Sequence, residues 1–373
     1  MTAHRPAGGP TGRRDLNRLP KAHLHLHFTG SMRHRTLVEL AYRAGVRLPP
    51  ALRSDEPPQL TDVESRGWFR FQRLYDTARS VLHTEDDVRR LLREAAEDEA
   101  AEGSGWLEMQ VDPSGYGSRF DGITAFLELF LDAAADAAER AGIGFGVVVA
   151  ANRTRHPLDA RTLARLATRY AGRGVVGFGL SNDERRGRTE DFAAAFAIAA
   201  RAGLPGVPHG GELLGPASVR ACVDALGARR LGHGVRAAED PALLEQLAAA
   251  GVACEVCPSS NVSLGVFDRP GDVPLKALLA AGVPVALGAD DPLLFGSRLT
   301  AQYALARDAH GLDDAALAGL ARSSITASFA PQDVKDRLLK GVDGWLAAPP
   351  PPSYPADEPV LRTPAPPSRA SRR

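Results

Sequence analysis

Three histidines alternate with apolar residues near the start of the chain, in the segment PKAHLHLHFTG at residues 20–30. Strict alternation is the period of a β-strand, so the three imidazoles of His23, His25 and His27 point to one face. A row of imidazoles against a packed core would leave ring nitrogens without partners, which makes a metal the better explanation. Two histidines from one strand supply half of a typical zinc site.

Further polar residues follow later apolar runs of the chain. His209 leads through two glycines to Glu212, and His233 and the pair Asp290-Asp291 each end a run of their own. Each alone is compatible with a loop or a helix cap. Placed together after strands, three imidazoles and one carboxylate suit Zn²⁺ with one position left for water; the predicted ligands are His25, His27, His209 and Asp290.

Such a metal lowers the pKa of bound water to about 7, which makes hydroxide available at neutral pH. The reaction then also requires an acid for the leaving or accepting atom and a base near the water. Glu212 and His233 are the polar residues of this group that the metal does not use, and they are the candidates for these two roles.

Eight short apolar runs alternate with longer stretches of helical composition. The predicted strands are residues 22–28, 105–111, 144–150, 175–180, 205–209, 230–234, 252–257 and 284–289. Eight such units predict an α/β fold, a (β/α)8 TIM barrel with a helical insertion after the first strand, and catalytic groups in this fold lie at the C-terminal ends of the strands. A doubly wound sheet is the alternative, but no glycine-rich dinucleotide fingerprint follows the first strand.

The composition limits the partners of the chain. Its 373 residues are 44% apolar and carry 45 basic and 45 acidic side chains. A balanced charge argues against nucleic acid and anionic lipid, which leaves a small molecule as the expected partner, and the sequence does not predict the oligomeric state. No run is long and uncharged enough to span a membrane, and three cysteines fit a reducing compartment, so we expect a cytoplasmic protein.

Three segments are expected along the chain. Residues 1–16 and the proline-rich tail 348–373 have the composition of disordered segments. Residues 17–347 are expected to form the barrel domain, with the chemistry of a metal-dependent hydrolase.

Five ordered strings, HLHFTGS, HGGE, LGHGV, VCPSSN and LGADDP, spread over about residues 17–345. In them the chain resembles the adenosine deaminase family of the amidohydrolase superfamily. The resemblance implies a zinc-dependent TIM barrel that hydrolyses the C6 amine of a purine nucleoside and releases ammonia. No lysine lies between Lys21 and Lys276, so no middle strand supplies the modified lysine that bridges two metals in many related amidohydrolases. One Zn²⁺ per chain is therefore expected.

The resemblance also implies a role for each motif residue. His25, His27, His209 and Asp290 resemble the zinc ligands, Glu212 the residue that protonates ring N1, and His233 the residue that orients and helps to deprotonate the water. Asp291 resembles the residue that binds N7, and Asn182 stands where the family usually has a glycine whose backbone meets N3. The expected substrate-binding residues are His27, Thr29, Asn182 and Asp291.

Thr29 departs from the family pattern, because adenosine-specific members have an aspartate there that holds the 5′-hydroxyl of ribose. A neutral, weaker acceptor suggests that a free 5′-hydroxyl is not recognised. We therefore expect a 5′-modified adenosine, foremost 6-amino-6-deoxyfutalosine of menaquinone biosynthesis, with adenosine second and adenine or an N6-substituted purine third. A cationic lid would suit the benzoate of that arm; the candidates are Arg33, Arg35, Arg70 and Arg73.

Aromatic residues in the insertion after the first strand are either plain helix core or part of a lid over the pocket; they are Trp68, Phe69, Phe71 and Tyr75. A function of another class also stays open, a catalytically silent barrel that binds a nucleoside or a metal as a sensor. The presence of Glu212 and His233 argues against it, because a sensor has no need of a proton-transfer pair.

Overall fold

The computed structural model describes residues 12–60 and 67–349. Eight parallel strands follow one another around a barrel in chain order. They are β1 Lys21–His27, β2 Ser104–Val111, β3 Gly144–Asn152, β4 Val175–Ser181, β5 Gly206–Gly210, β6 Arg230–His233, β7 Ala253–Val256 and β8 Val285–Leu287. The predicted TIM barrel is thus confirmed, and every predicted strand lies within two residues of its observed bounds.

The barrel closes between its first and last strands. Leu26 of β1 forms a parallel bridge with Asp290, three residues beyond the end of β8. Two backbone hydrogen bonds support it, from His27 N to Asp290 O at 3.0 Å and from Asp290 N to His25 O at 3.0 Å. Asp290 is therefore fixed against the strand that carries the alternating histidines.

The described residues form fourteen α-helices. Three of them make up the predicted insertion between β1 and β2; they are α1 His34–Ala44, α2 Gly67–Ser80 and α3 Glu85–Ala101. The others surround the barrel: α4 Ile123–Ala141, α5 Pro157–Thr168, α6 Ala193–Arg201, α7 Pro216–Leu226, α8 Pro241–Ala250, α9 Pro258–Ser263, α10 Leu275–Ala280, α11 Pro292–Phe295, α12 Leu299–Asp308, α13 Asp314–Ala327 and α14 Gln332–Ala347.

Local sequence explains where these helices begin and end, as α8 illustrates. The Asp240 carboxylate accepts the amides of Ala242 and Leu243 at 3.1 and 3.2 Å, and Pro241 occupies the first turn, where its missing N–H costs no hydrogen bond. Gly251 ends the helix with a φ of 62°, a left-handed conformation that glycine adopts without strain.

The barrel interior below the strand ends holds a buried charge cluster. The Arg230 guanidinium binds Glu255 Oε1 at 2.7 Å and pairs with Glu108 on its other side, and it stacks on the Phe329 ring at 3.9 Å. All three charged side chains are almost completely buried. Removing one partner of such a cluster leaves an uncompensated charge, which typically costs about 3–5 kcal/mol.

Order begins earlier in the chain than predicted. Arg14 donates to the carbonyls of Trp345 and Leu346 at 3.0 and 2.9 Å, the Trp345 indole donates to the Asp15 carbonyl at 3.0 Å, and Leu16 is buried. Contacts with α14, remote in sequence, thus hold residues that were placed in a disordered segment. The disorder expected for residues 1–11 and 350–373 lies outside the described residues.

No helix in the described part of the chain combines the length and the hydropathy that a bilayer crossing requires.

Candidate active site

The predicted metal ligands lie together at the C-terminal ends of the strands. Asp290 Oδ1 is 3.6 Å from His25 Nε2 and 3.3 Å from His27 Nε2. His27 Nε2 is in turn 3.3 Å from His209 Nε2. Three imidazoles from β1 and β5 and one carboxylate from the end of β8 therefore converge on one point.

These separations fit a metal ion that also keeps a position for water, because ligand atoms about 2.0–2.2 Å from such an ion and about 90–120° apart lie roughly 2.8–3.8 Å from one another. His25 Nε2 is buried and has no hydrogen-bond partner among the described residues. Its other ring nitrogen, Nδ1, lies 2.9 Å from Glu255 Oε2. This bond fixes the proton on Nδ1 and leaves the Nε2 lone pair directed at the cluster, which is the tautomer that binds a metal.

The electrostatics also suit a cation. Although burial opposes its ionisation, hydrogen bonds to His25 and His27 hold the pKa of Asp290 well below its usual range. Burial and the neighbouring His25 lower the pKa of His209 well below 6.5. An ionised carboxylate and a neutral imidazole are the forms that coordinate metals.

Backbone strain in the described chain concentrates at this site. Four non-glycine residues have φ in the left-handed region, and three of them are site residues: Asn182 at 82°, His233 at 66° and Asp290 at 62°. Each such conformation costs of order 1–3 kcal/mol and persists only where the surroundings impose it. At Asn182 it also explains the residue type, because asparagine tolerates the conformation that glycine supplies at this position elsewhere in the family pattern.

Glu212 and His233 form a pair beside the metal ligands. Glu212 Oε1 lies 3.6 Å from His233 Nε2, which is 3.9 Å from Asp290 Oδ2. Burial and the negative charges of Asp290 and Glu184 raise the pKa of Glu212 well above 4.5. Burial and the charge of His25 lower the pKa of His233 to about 3. The pair therefore presents a carboxylic acid that can donate a proton and a neutral imidazole that can accept one.

Asp291 lies across the pocket against the loop that follows β1. A Cβ atom on Gly30 would come within 1.7 Å of Asp291 Oδ1, so only glycine permits this close approach. Asp291 Oδ1 has no hydrogen-bond partner in the part of the chain that the structure describes. Burial, and then the charge of Asp290, raise the pKa of Asp291 well above 3.8, which makes it a second possible hydrogen-bond donor.

His23 lies outside the metal cluster. Its Nε2 accepts the backbone amide of Ala289 at 2.9 Å, and its Nδ1 lies 2.8 Å from Glu99 Oε1 on α3. Because Ala289 directly precedes Asp290, His23 braces the backbone that carries a predicted ligand. His23, the first histidine of the alternating row, thus supports the site and is not one of its predicted metal ligands.

One face of α2 covers the mouth of the pocket. Trp68, Phe71, Gln72, Tyr75 and Arg79 line the pocket from this helix, at spacings that place them on a single helical face. Phe71 stacks on Phe295 of α11 with ring centroids 5.3 Å apart, which ties α2 to the chain beyond Asp291. Of the four aromatic lid candidates, Phe69 does not contribute; it is 57% exposed.

The Thr29 hydroxyl is engaged by the protein itself. Its Oγ1 lies 2.6 Å from the Tyr116 hydroxyl. Tyr116 is held by a stacked contact with Phe126, with centroids 4.4 Å apart. The side chain that replaces the family's aspartate is therefore already partnered by Tyr116.

Sequence reasoning missed Gln110. It is 1% exposed and lines the pocket from β2, where it pairs in register with His27. Within the described residues, neither its amide nitrogen nor its amide oxygen has a hydrogen-bond partner. A buried amide with both of its groups unpaired at a pocket wall is suited to bind a ligand.

The arginines proposed for a cationic lid are absent from the pocket lining. Arg33 pairs with Asp98 at 2.7 Å, and Arg70 donates to the Gln59 carbonyl at 2.8 Å. The arginine that lines the pocket is Arg79, whose Nη2 is 2.7 Å from Asp76 Oδ1.

Comparison with known proteins agrees with this geometry. The sequence profile described as adenosine deaminase matches residues 20–345. The chain belongs to the adenosine deaminase family. A family relative from Streptomyces coelicolor, named "Putative adenosine/adenine deaminase", is 64% identical over 339 residues, which cover 90% of this chain and 99% of the relative.

Two further adenosine deaminase family members bear on the substrate. The aminodeoxyfutalosine deaminase of Streptomyces coelicolor is 36% identical, over 88% of this chain and 85% of its own. The crystal structure of adenine deaminase from Arthrobacter aurescens is 31% identical with a TM-score of 0.81, over 88% of this chain and 99% of that one. The names of these relatives describe deaminases of adenine and of aminodeoxyfutalosine.

Proposed function

We propose that this protein hydrolyses the C6 amine of adenine, giving hypoxanthine and ammonia, with one Zn²⁺ ion bound by His25, His27, His209 and Asp290. The observation that carries the proposal is the Glu212 and His233 pair, which lies against these ligands and inside the pocket. A Zn²⁺ ion at this position would supply a Lewis acid that makes water nucleophilic near neutral pH.

The chain's own residues supply the proton transfers. Attack of water at C6 disrupts the aromatic ring, so N1 must gain a proton, and the protonated Glu212 carboxyl donates it. Neutral His233 accepts a proton from the attacking water. When the C6–N bond breaks, the amine takes the proton held by His233 and leaves as ammonia. The remaining proton of the former water returns to Glu212, and C6 keeps the oxygen as a carbonyl.

Substrate recognition follows from the same placement. With the C6 and N1 edge at Glu212 and His233, protonated Asp291 donates a hydrogen bond to N7. The opposite edge of the base then faces the wall formed by β2, because β2 and β6 lie on opposite sides of an eight-stranded barrel. Free adenine presents an N–H at N9 and an acceptor at N3 on that edge, and the unpaired Gln110 amide offers the complementary acceptor and donor.

Two features support adenine over the 5′-modified nucleoside that the Thr29 substitution suggested. Thr29 binds Tyr116 at 2.6 Å, so its hydroxyl is already partnered where the family holds ribose. The likeness to the adenine deaminase of Arthrobacter aurescens, with a TM-score of 0.81, supports the same choice.

A 5′-modified adenosine such as 6-amino-6-deoxyfutalosine is the second candidate, and Arg79 favours it. Its guanidinium lines the pocket from α2 and could pair with a carboxylate at the end of a 5′ arm. The aminodeoxyfutalosine deaminase from Streptomyces coelicolor supports the same possibility through its likeness to this chain. Adenosine itself follows these two.

The test is ammonia release by the zinc-loaded protein with adenine, adenosine and 6-amino-6-deoxyfutalosine supplied in parallel. A kcat/KM that is highest for adenine supports the proposal. A higher value for the futalosine analogue would replace adenine by the second candidate. No ammonia from any of the three would favour the sensor instead.

A further inference from the structure

A single buried carboxylate organises the loop that carries Glu212. Glu184, in the loop after β4, is 2% exposed. Its Oε1 accepts the backbone amide of Gly211 at 2.6 Å and the hydroxyl of Ser218, and its Oε2 accepts the amides of residues 212–214 at 3.0, 2.6 and 2.8 Å. Five donors from one segment thus converge on one side chain.

These four amides have no other partner in the described chain. Residues 211–214 form neither helix nor strand, and α7 begins only at Pro216. Gly211 and Glu212 are buried; buried backbone N–H groups must be paired, and a loop without regular structure has to find partners elsewhere. The Glu184 carboxylate is therefore what allows this segment to fold back over the end of β5, and it determines the path of the backbone at Glu212.

The other end of the segment is also fixed. Arg153, 1% exposed, donates to the His209 carbonyl at 2.5 Å and to Thr189 Oγ1 at 3.3 Å. His209 is thus held on its strand by Arg153, while residues 211–214 turn onto Glu184. Between these anchors the Glu212 side chain extends to within 3.6 Å of His233 Nε2.

We propose that Glu184 is a positioning residue for the proton transfer, holding the 211–214 backbone so that the Glu212 carboxyl reaches the purine N1. The inference rests on the proposed deaminase function. Glu184 is not among the residues that line the pocket; it holds the loop that carries Glu212, and its charge favours the protonated form of Glu212, as described above. A displacement of about 1 Å at a catalytic group can lower a rate roughly a hundredfold, so loss of this anchor is expected to affect the chemical step more than substrate binding.

The test compares Glu184→Gln with Asp183→Asn in the zinc-loaded full chain. Glutamine keeps the size of the side chain, but its NH2 group cannot accept the amides that one carboxylate oxygen now accepts. Asp183 is an equally buried neighbour whose carboxylate bonds its own turn, at 2.9 Å to Arg185 Nε, so it controls for loss of a buried negative charge. We expect Glu184→Gln to lower kcat for adenine roughly a hundredfold, with KM and zinc content nearly unchanged, and Asp183→Asn to keep kcat within a few-fold of the native value.

A double-mutant cycle separates positioning from general scaffolding. If Glu184 acts through Glu212, then adding Glu184→Gln to Glu212→Ala leaves the residual rate of the single Glu212→Ala variant unchanged. If the two losses of rate multiply in the double variant, the positioning role is overturned. It is also overturned if Glu184→Gln lowers the zinc content and raises KM as well as lowering kcat.

Ser218→Ala provides a milder test of the same contact should Glu184→Gln fail to fold. It removes one of the five donors, and we expect a several-fold lower kcat at an unchanged KM; an unchanged kcat would count against the proposal. Failure of the proposed function is distinguishable, because the unmodified protein would then release no ammonia from any purine offered.

Discussion

His25 Nδ1 lies 2.9 Å from Glu255 Oε2, and Arg230 binds the other oxygen of the same carboxylate at 2.7 Å. The contact joins β1 to β7 across the barrel interior and orients the deepest of the four predicted metal ligands. Glu255→Gln is expected to weaken zinc binding by about 10- to 100-fold, because the amide accepts the Nδ1 proton less strongly. Competition with a chelator measures the effect, with Glu239→Gln at the exposed Arg236 pair as the control. Unaltered zinc affinity in folded Glu255→Gln protein would contradict this assignment.

Glu212→Ala separates an enzyme from a sensor. The proposed proton donor contributes about 10²- to 10⁴-fold to the rate, so the variant should lose ammonia release by that factor. Zinc content should remain, because Glu212 is not among the predicted ligands. Metal analysis and steady-state kinetics on the same sample test both statements, and a variant that keeps native turnover would remove Glu212 from the mechanism.

The pH dependence of kcat/KM follows from the shifted pKa values of Glu212 and His233. Glu212 acts as an acid, and because its pKa is raised well above 4.5, activity is lost as pH rises through that raised pKa. His233 acts as a base, and because its pKa is lowered to about 3, protonation of His233 removes activity only when pH falls toward that value. We therefore expect no loss of activity as pH falls through 6.5, where an unperturbed histidine would titrate. An acidic limb near pH 6.5 in an adenine assay would contradict the neutral His233.

Gln110→Leu tests recognition of the N3 and N9 edge. Two neutral hydrogen bonds contribute about 0.5–1.5 kcal/mol each, so kcat/KM for adenine should fall roughly tenfold to a hundredfold. Adenosine has no proton at N9, so its kcat/KM should fall less. An equal loss of kcat/KM for both substrates would mean that Gln110 stabilises the pocket and does not recognise the N3 and N9 edge of free adenine.

The barrel and the convergence of the predicted metal ligands could be predicted because they leave local signals. His25 and His27 alternate within one strand, and His209, His233 and Asp290 each end an apolar run, so parallel strands must bring them to the same rim. The proton-transfer pair was predictable for the same reason. The roles assigned to these residues remain predictions for the experiments above.

Other parts of the site depend on contacts between distant segments, which have no local signal. In the sequence, nothing distinguishes Glu184 from other polar loop residues. Its role depends on the backbone of residues 211–214, which binds it only in the folded chain. The Thr29 hydroxyl gains its partner from Tyr116, in the loop after β2. Arginines near the lid could be chosen only by proximity in sequence, and Arg33 turns away because Asp98 on α3 competes for it.

The bridge between Leu26 and Asp290 carries a consequence for biosynthesis. Two predicted ligands, His25 and His27, emerge from the ribosome with the first strand, and the fourth, Asp290, emerges only after all eight strands have been made. Until then the early histidines lack the carboxylate that completes the predicted ligand set, and the ring of strands stays open. A nascent chain therefore cannot retain the ion as the finished barrel does, and acquisition of the metal should follow synthesis of the eighth strand.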